Sequence, residues 1–196
     1  AVHEAGHAVI GFAFASMTCR RVVRASIRPR VGGVGGVTVF EPLAEDADGA
    51  LPPGLFTRRG SCASLCVELG GRVAEEVALT PLEVSSGASS DLRAATRRAL
   101  AMAADWGLCG SLLSLEALGH QCSDATQRQA ELAAGDLLKR ALASARTILA
   151  SPEGRRCLEL AASRLLEAEE LEAEPLSAAM DLEVLRCMAQ KEAEAW

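Results

Sequence analysis

Apolar and polar positions follow two different periods along this chain. From Ala1 to about Ser16, the residues Val2, Val9, Ile10, Phe12 and Ala13 leave few polar interruptions, which predicts a largely buried helix. Arg21 to Arg28 and Val34 to Phe40 are β-branched runs separated by Pro29-Arg30-Val31-Gly32-Gly33, the composition of a hairpin or of two neighbouring strands. Glu41 to Gly54 is acidic and contains Pro and Gly, so it reads as an exposed loop. A long helix is predicted from about Leu55 to Leu79, with Gly70-Gly71 in its middle. Paired glycines weaken a helix and point to close approach of another backbone, here the first helix.

A second loop, Thr80 to Ala88, leads to a helix capped by Ser89 or Ser90, whose apolar stripe runs Leu92, Ala95, Ala99, Ala103, Trp106. That helix ends at Trp106-Gly107, and Leu108 to Cys122 reads as an irregular apolar connection. Three further helices are expected: Asp124 to Leu149, Pro152 to Glu172 with Ser151 as cap, and Leu176 to Gln190. The run Glu167, Glu169, Glu170, Glu172, Glu174 is expected on a solvated helix face. No internal repeat is visible. The expected fold is mainly α (α+β), with a small β-hairpin or sheet and a C-terminal helical region. Residues 1–123 form the core, and residues 124–196 the C-terminal helical part of the same domain.

Composition agrees with helices packed through small side chains. Of 196 residues, 49% are hydrophobic but only 3% are aromatic, and there is no Tyr. A formal net charge of −6 gives no basis for gripping phosphates, which argues against a nucleic-acid partner. Seven cysteines without the spacing of a small secreted scaffold point to a reducing compartment. Cys62 and Cys66 share a helical face and are expected in the core. The longest apolar stretch, Ala99 to Gly119, is broken by Asp105, Glu116 and glycines, so no membrane span is predicted.

The chemistry enters at the third residue. His3-Glu4-Ala5-Gly6-His7 matches H-E-x-x-H, and residues four apart on a helix share one face, so two imidazoles can hold one cation. Glu4 is offset from that face. It can reach the hydrolytic water without competing for the metal, as a general base must. Coincidence is the bland alternative, but two of only three histidines fall in register within an apolar helix. Zinc in a catalytic site takes three protein ligands, and the third could be His120, Glu75, Glu76 or Asp91. His120 is expected in an exposed loop. One of Glu75 and Glu76 could orient an imidazole while the other is solvated. On these residues alone, Asp91 and the glutamates stay open. Gly33-Val34-Gly35 does not make a dinucleotide site, because Thr38 stands where the third glycine belongs. A motif starting so near the first residue also predicts missing upstream residues.

HEAGHAVIG, then IRPR with GVTVF, then LGGRVAEEV, then VSSGASSDL and a helix ending in DWG occur in the order and approximate spacing of the FtsH peptidase domain. The chain resembles that family of ATP-dependent zinc proteases over residues 1 to about 110, and more loosely beyond. The resemblance implies zinc ligands at His3, His7 and Asp91 and a catalytic glutamate at Glu4. It also implies a substrate-aligning strand at Val37, Thr38, Val39 and Phe40, where unfolded polypeptide adds as a β-strand. It further implies work in a homo- or hetero-hexamer, associated with a bacterial inner, mitochondrial inner or chloroplast thylakoid membrane through segments outside this chain. The peptidase domain would then face a reducing aqueous compartment. The chain has Leu69 where the family usually carries an aromatic residue, and its Leu108 to Cys122 segment is shorter. No G-x-x-x-x-G-K-[ST] occurs, so ATP would act only through a motor domain that these residues do not contain. Two other readings stay in view: a relative whose zinc site serves assembly, and a zinc hydrolase acting on small molecules in a closed pocket.

Overall fold

In the computed structural model, which describes residues 1–29, 35–43, 55–79 and 82–196, the first helix is the centre of the molecule. This helix, α1 (Val2–Ala13), is buried continuously from Glu4 to Ala13. Its composition permits that, since apart from the H-E-x-x-H residues it is apolar or glycine on every side. A single turn, α2 (Ala15–Thr18), ends at Cys19 in the left-handed region with φ 52°. The chain then enters β1 (Arg20–Ser26), which pairs antiparallel with β2 (Val37–Pro42) in the register Val22↔Phe40 and Ala25↔Thr38, shifted by a bulge between Val22 and Arg24. The Gly32-Gly33 turn, the predicted strand start at Val34, most of the acidic loop and Thr80-Pro81 lie outside the described residues.

Helix α3 (Arg58–Ala78) opens on Thr57, whose side chain accepts from the Gly60 amide. A 3-10 turn (Ser86–Ala88) precedes α4 (Ser89–Ala104). The expected cap at Ser89 or Ser90 is corrected here. Ser85 caps the 3-10 turn by accepting from the Gly87 amide, and α4 continues from that turn with no side-chain cap of its own. In α4, Ala95, Ala99 and Ala103 are buried, joined by Met102, while Leu92 and Trp106 at the ends of the stripe are partly exposed. The connection that follows holds one short helix, α5 (Leu115–Leu118), and a 3-10 turn at Gly119–Gln121.

The C-terminal region adds α6 (Asp124–Ala150) and α7 (Pro152–Ala168), the latter capped by Ser151 with Pro152 in its first turn as expected. Helix α7 then stops short of the expected Glu172. Glu169 adopts φ 61°, and β3 (Glu170–Glu172) follows, pairing antiparallel with β1 at Ser26↔Glu170 and Arg24↔Glu172. The glutamate run is therefore not one solvated helix face. Glu169 meets Arg28 at 3.4 Å and Glu170 meets Arg24 at 3.5 Å, so opposite charge in and just after β1, together with pairing to its edge, outweighs weak strand propensity. The last predicted helix is also divided, into α8 (Ala173–Ser177) and α9 (Leu182–Glu194), by Ala179 at φ 65° and a new cap at Asp181. The sheet order is β2-β1-β3, which leaves β2 with one unpaired edge among the described residues.

Helices α3, α7 and α9 and strand β1 enclose α1, and α6 packs on α3 and α4. Cys62 and Cys66 are buried in this core as expected, and burial pushes the Cys66 thiol well up. Helices α1 and α3 approach each other closely. A Cβ on Gly6 would lie 2.4 Å from the Ala74 Cβ and 2.5 Å from the Gly70 carbonyl oxygen, so the paired glycines do permit the predicted contact. Gly6→Ala should therefore destabilise the fold by about 1–3 kcal/mol through overpacking. Urea unfolding measures this, and an unchanged midpoint would show that the two helices separate freely.

Candidate metal centre and groove

One turn of α1 brings His3 and His7 together, with ring centroids 4.8 Å apart and Nε2 atoms 3.1 Å apart. Each ring is oriented through its other nitrogen. His7 Nδ1 donates to the Val67 carbonyl at 2.7 Å, and His3 Nδ1 lies 3.0 Å from Glu75 Oε1. Those acceptors hold the protons on Nδ1, so both Nε2 lone pairs face the same point. Asp91, in the first turn of α4, brings Oδ2 to 3.0 Å from His3 Nε2 and 3.4 Å from His7 Nε2. Two imidazole nitrogens and a carboxylate oxygen, all within 4.8 Å of one another, make a donor set suited to zinc with a coordination position left over.

The electrostatics are those of mutually dependent groups. Burial opposes ionisation of Asp91, but when the imidazoles of His3 and His7 are protonated their hydrogen bonds and charge outweigh it and hold the carboxyl well below its usual range. Burial likewise disfavours the charged form of His3, yet Asp91, Glu4 and Glu75 together raise its pKa.

Of the other candidates, Glu75 is buried beside His3 and also accepts from the Ser85 amide at 2.8 Å and the Ser85 hydroxyl at 3.1 Å. It thus ties a histidine to the segment leading into α4. Glu76 points elsewhere. It is neither beside the histidines nor solvated as the sequence suggested, because Arg72 at 3.2 Å and Arg146 both pair with it. His120 is exposed in its 3-10 turn, away from this cluster.

Glu4 is buried, and its Oε2 accepts from the Thr38 hydroxyl at 2.8 Å. It lies in a groove of ≈ 760 Å³ whose lining includes His3, His7, Asp91, Val37 and Thr38. Phe40 lines the same groove and packs on α1, where a Cβ at Gly11 would come within 2.5 Å of its ring. Three participants carry no residue-type signature. Val67 acts through a main-chain carbonyl, and Ser85 through a loop. Gly71 is the third: a Cβ there would lie 2.5 Å from His7 Nε2 and 2.6 Å from His3 Nε2, so it forms the floor under the imidazoles.

The model of peptidase family M41 matches residues 1–179. An ATP-dependent zinc metalloprotease FtsH of Synechococcus sp. is 34% identical over 194 residues, covering 92% of this chain and 29% of the relative. That of Chloroflexus aggregans is 36% identical over 190 residues, covering 90% of this chain and 27% of the relative. The chloroplastic ATP-dependent zinc metalloprotease FTSH 7 of Arabidopsis thaliana is 42% identical over 108 residues, covering 54% of this chain and 13% of the relative. The chain thus spans less than a third of the length of these relatives. With most of its length matched by the family model, the chain belongs to peptidase family M41.

Proposed function

We propose that this chain is the proteolytic domain of an ATP-dependent zinc metalloprotease and cleaves unfolded polypeptides internally. The observation that carries this reading is the convergence of His3 Nε2, His7 Nε2 and Asp91 Oδ2 beside the Glu4 carboxylate. His3, His7 and Asp91 hold zinc. When bound, zinc supplies Lewis acidity, which polarises a carbonyl and makes water a nucleophile near neutral pH. Glu4 accepts the proton of the attacking water and returns it to the leaving amine. Val67 and Glu75 fix the imidazoles in the tautomer that offers Nε2.

The substrate lies along the edge of β2 that is unpaired among the described residues, from Val37 to Phe40. Main-chain hydrogen bonding there gives affinity with little demand on sequence, as a protease acting on unfolded chains requires. The domain works in a homo- or hetero-hexamer, and the motor that delivers the chain and the membrane anchor belong to segments outside these residues. No helix among the described residues is long and apolar enough to cross a membrane.

Asp91→Ala tests the donor set. Its zinc affinity should fall by about 100-fold or more, and casein cleavage by the protein carrying its motor should fall with it. Undiminished zinc occupancy would remove Asp91 from the ligands and return Glu75 to contention.

A further inference from the structure

We propose that Thr38 of β2 and Gly36 just before it form a seat that holds the Glu4 carboxylate in place, making Thr38 a positioning residue for the cleavage reaction. This rests on the reading of Glu4 as the proton carrier.

Alternate positions of extended backbone share one face, and Thr38 and Phe40 of β2 meet α1, as would a Cβ at position 36. The Thr38 hydroxyl lies 2.8 Å from Glu4 Oε2 and 3.1 Å from the Glu4 main-chain oxygen. One hydroxyl proton is thereby shared between the carboxylate and the main-chain oxygen of the same residue. A glutamate has several rotatable bonds, and this bridge limits how far its carboxylate can swing from α1. Gly36 supplies the space: a Cβ there would lie 2.7 Å from Glu4 Oε1 and 2.8 Å from its Cγ, with the Ser26 carbonyl 2.9 Å away behind it. Among the described residues, no Lys, Arg or His forms an ion pair with Glu4 that would hold it instead.

The support is stiff. Thr38 is β-branched, which restricts its rotamers, and it pairs with Ala25 of β1, which is fully buried. The same strand has an edge unpaired among the described residues, which the proposed function gives to the substrate. The position of the base is thus indexed to the strand that sets the register of the scissile bond, which is what proton transfer over hydrogen-bond distances demands.

The test uses the full-length protein with ATP and a quenched fluorescent peptide, measuring kcat and KM separately alongside zinc content. Thr38→Val should lower kcat by about 10- to 100-fold with KM and zinc unchanged, the range seen when an outer hydrogen-bond partner is removed. Thr38→Ser, which restores the hydroxyl, should recover most of the loss. A wild-type kcat in Thr38→Val, a loss confined to KM, or a Thr38→Ser variant as poor as Thr38→Val would each overturn the proposal. If Thr38→Val does not fold, Gly36→Ala carries the same expectation, because it keeps the hydroxyl but crowds Oε1; an undiminished kcat there overturns it equally. Glu4→Gln separates the two layers. If Glu4→Gln is inactive while Thr38→Val is unimpaired, the seat alone fails, whereas an active Glu4→Gln variant removes the reading beneath it.

Discussion

Glu4→Gln should lower casein cleavage by about 10²- to 10⁴-fold while zinc content stays at the wild-type level, the range expected when a general acid–base group is lost. The substitution keeps the shape of the side chain and an oxygen for the Thr38 hydroxyl at 2.8 Å, so the groove should be preserved. What disappears is the capacity to take up a proton. Glu4 does not bond His3, His7 or Asp91, and the donor set that would hold zinc is complete without it. The comparison must therefore be made at matched zinc occupancy. Equal cleavage by the two proteins would sink the proposed mechanism and leave only a metal-binding domain.

Gly71→Ala should separate metal binding from folding in the other direction. Alanine is the better helix former by about 1 kcal/mol, so α3 itself gains. The added methyl, however, would stand 2.5 Å from His7 Nε2 and 2.6 Å from His3 Nε2, distances that real Cβ atoms do not adopt. The imidazoles cannot simply retreat. His7 is held by the Val67 carbonyl at 2.7 Å and His3 by Glu75 at 3.0 Å, and α1 is already in contact with α3 at Gly6. Zinc affinity should fall by at least about 10- to 100-fold, comparable to loss of an orienting partner, while far-UV circular dichroism keeps its helical signal. Titration with a competing chelator measures the affinity. Wild-type affinity would mean that the rings have room to shift and that Gly71 is not their floor.

The helices that bury a regular stripe were legible because periodicity is a local signal. The helix α1, the body of α3 with its glycine pair, and the Ser151-Pro152 start of α7 all follow from residues within a few turns. Elements decided by distant partners were not legible. Glu-Leu-Glu at 170–172 has little strand propensity, and only the edge of β1 and the arginines at 24 and 28 draw it out of the helix. The split between α8 and α9 did have a signal in Asp181, a good capping residue, which an apolar pattern running past it concealed.

The site divides along the same line. His3, Glu4 and His7 form a local pattern, whereas Asp91 stood level with the glutamates until the family resemblance ranked it, and the fold brings its carboxylate to both imidazoles. Glu75 and Glu76 are adjacent in sequence yet face opposite surroundings on α3, one towards His3 and one towards Arg146. No local rule distinguishes them. Val67 was beyond reach altogether, since a main-chain carbonyl looks the same whatever side chain it carries.

The enclosure of α1 has a consequence for the order of assembly. This helix is apolar on nearly every side, and its cover comes from α3 nearby but also from α7 and α9 near the far end of the chain. Contacts between such distant segments form late, because the intervening chain must first be made and closed into a loop. During synthesis the histidine-bearing helix therefore spends a long interval without its full cover, as a sticky segment that invites chaperones or aggregation. Maturation of the candidate metal centre would then come near the end of folding, after the rest of the helical shell has arrived.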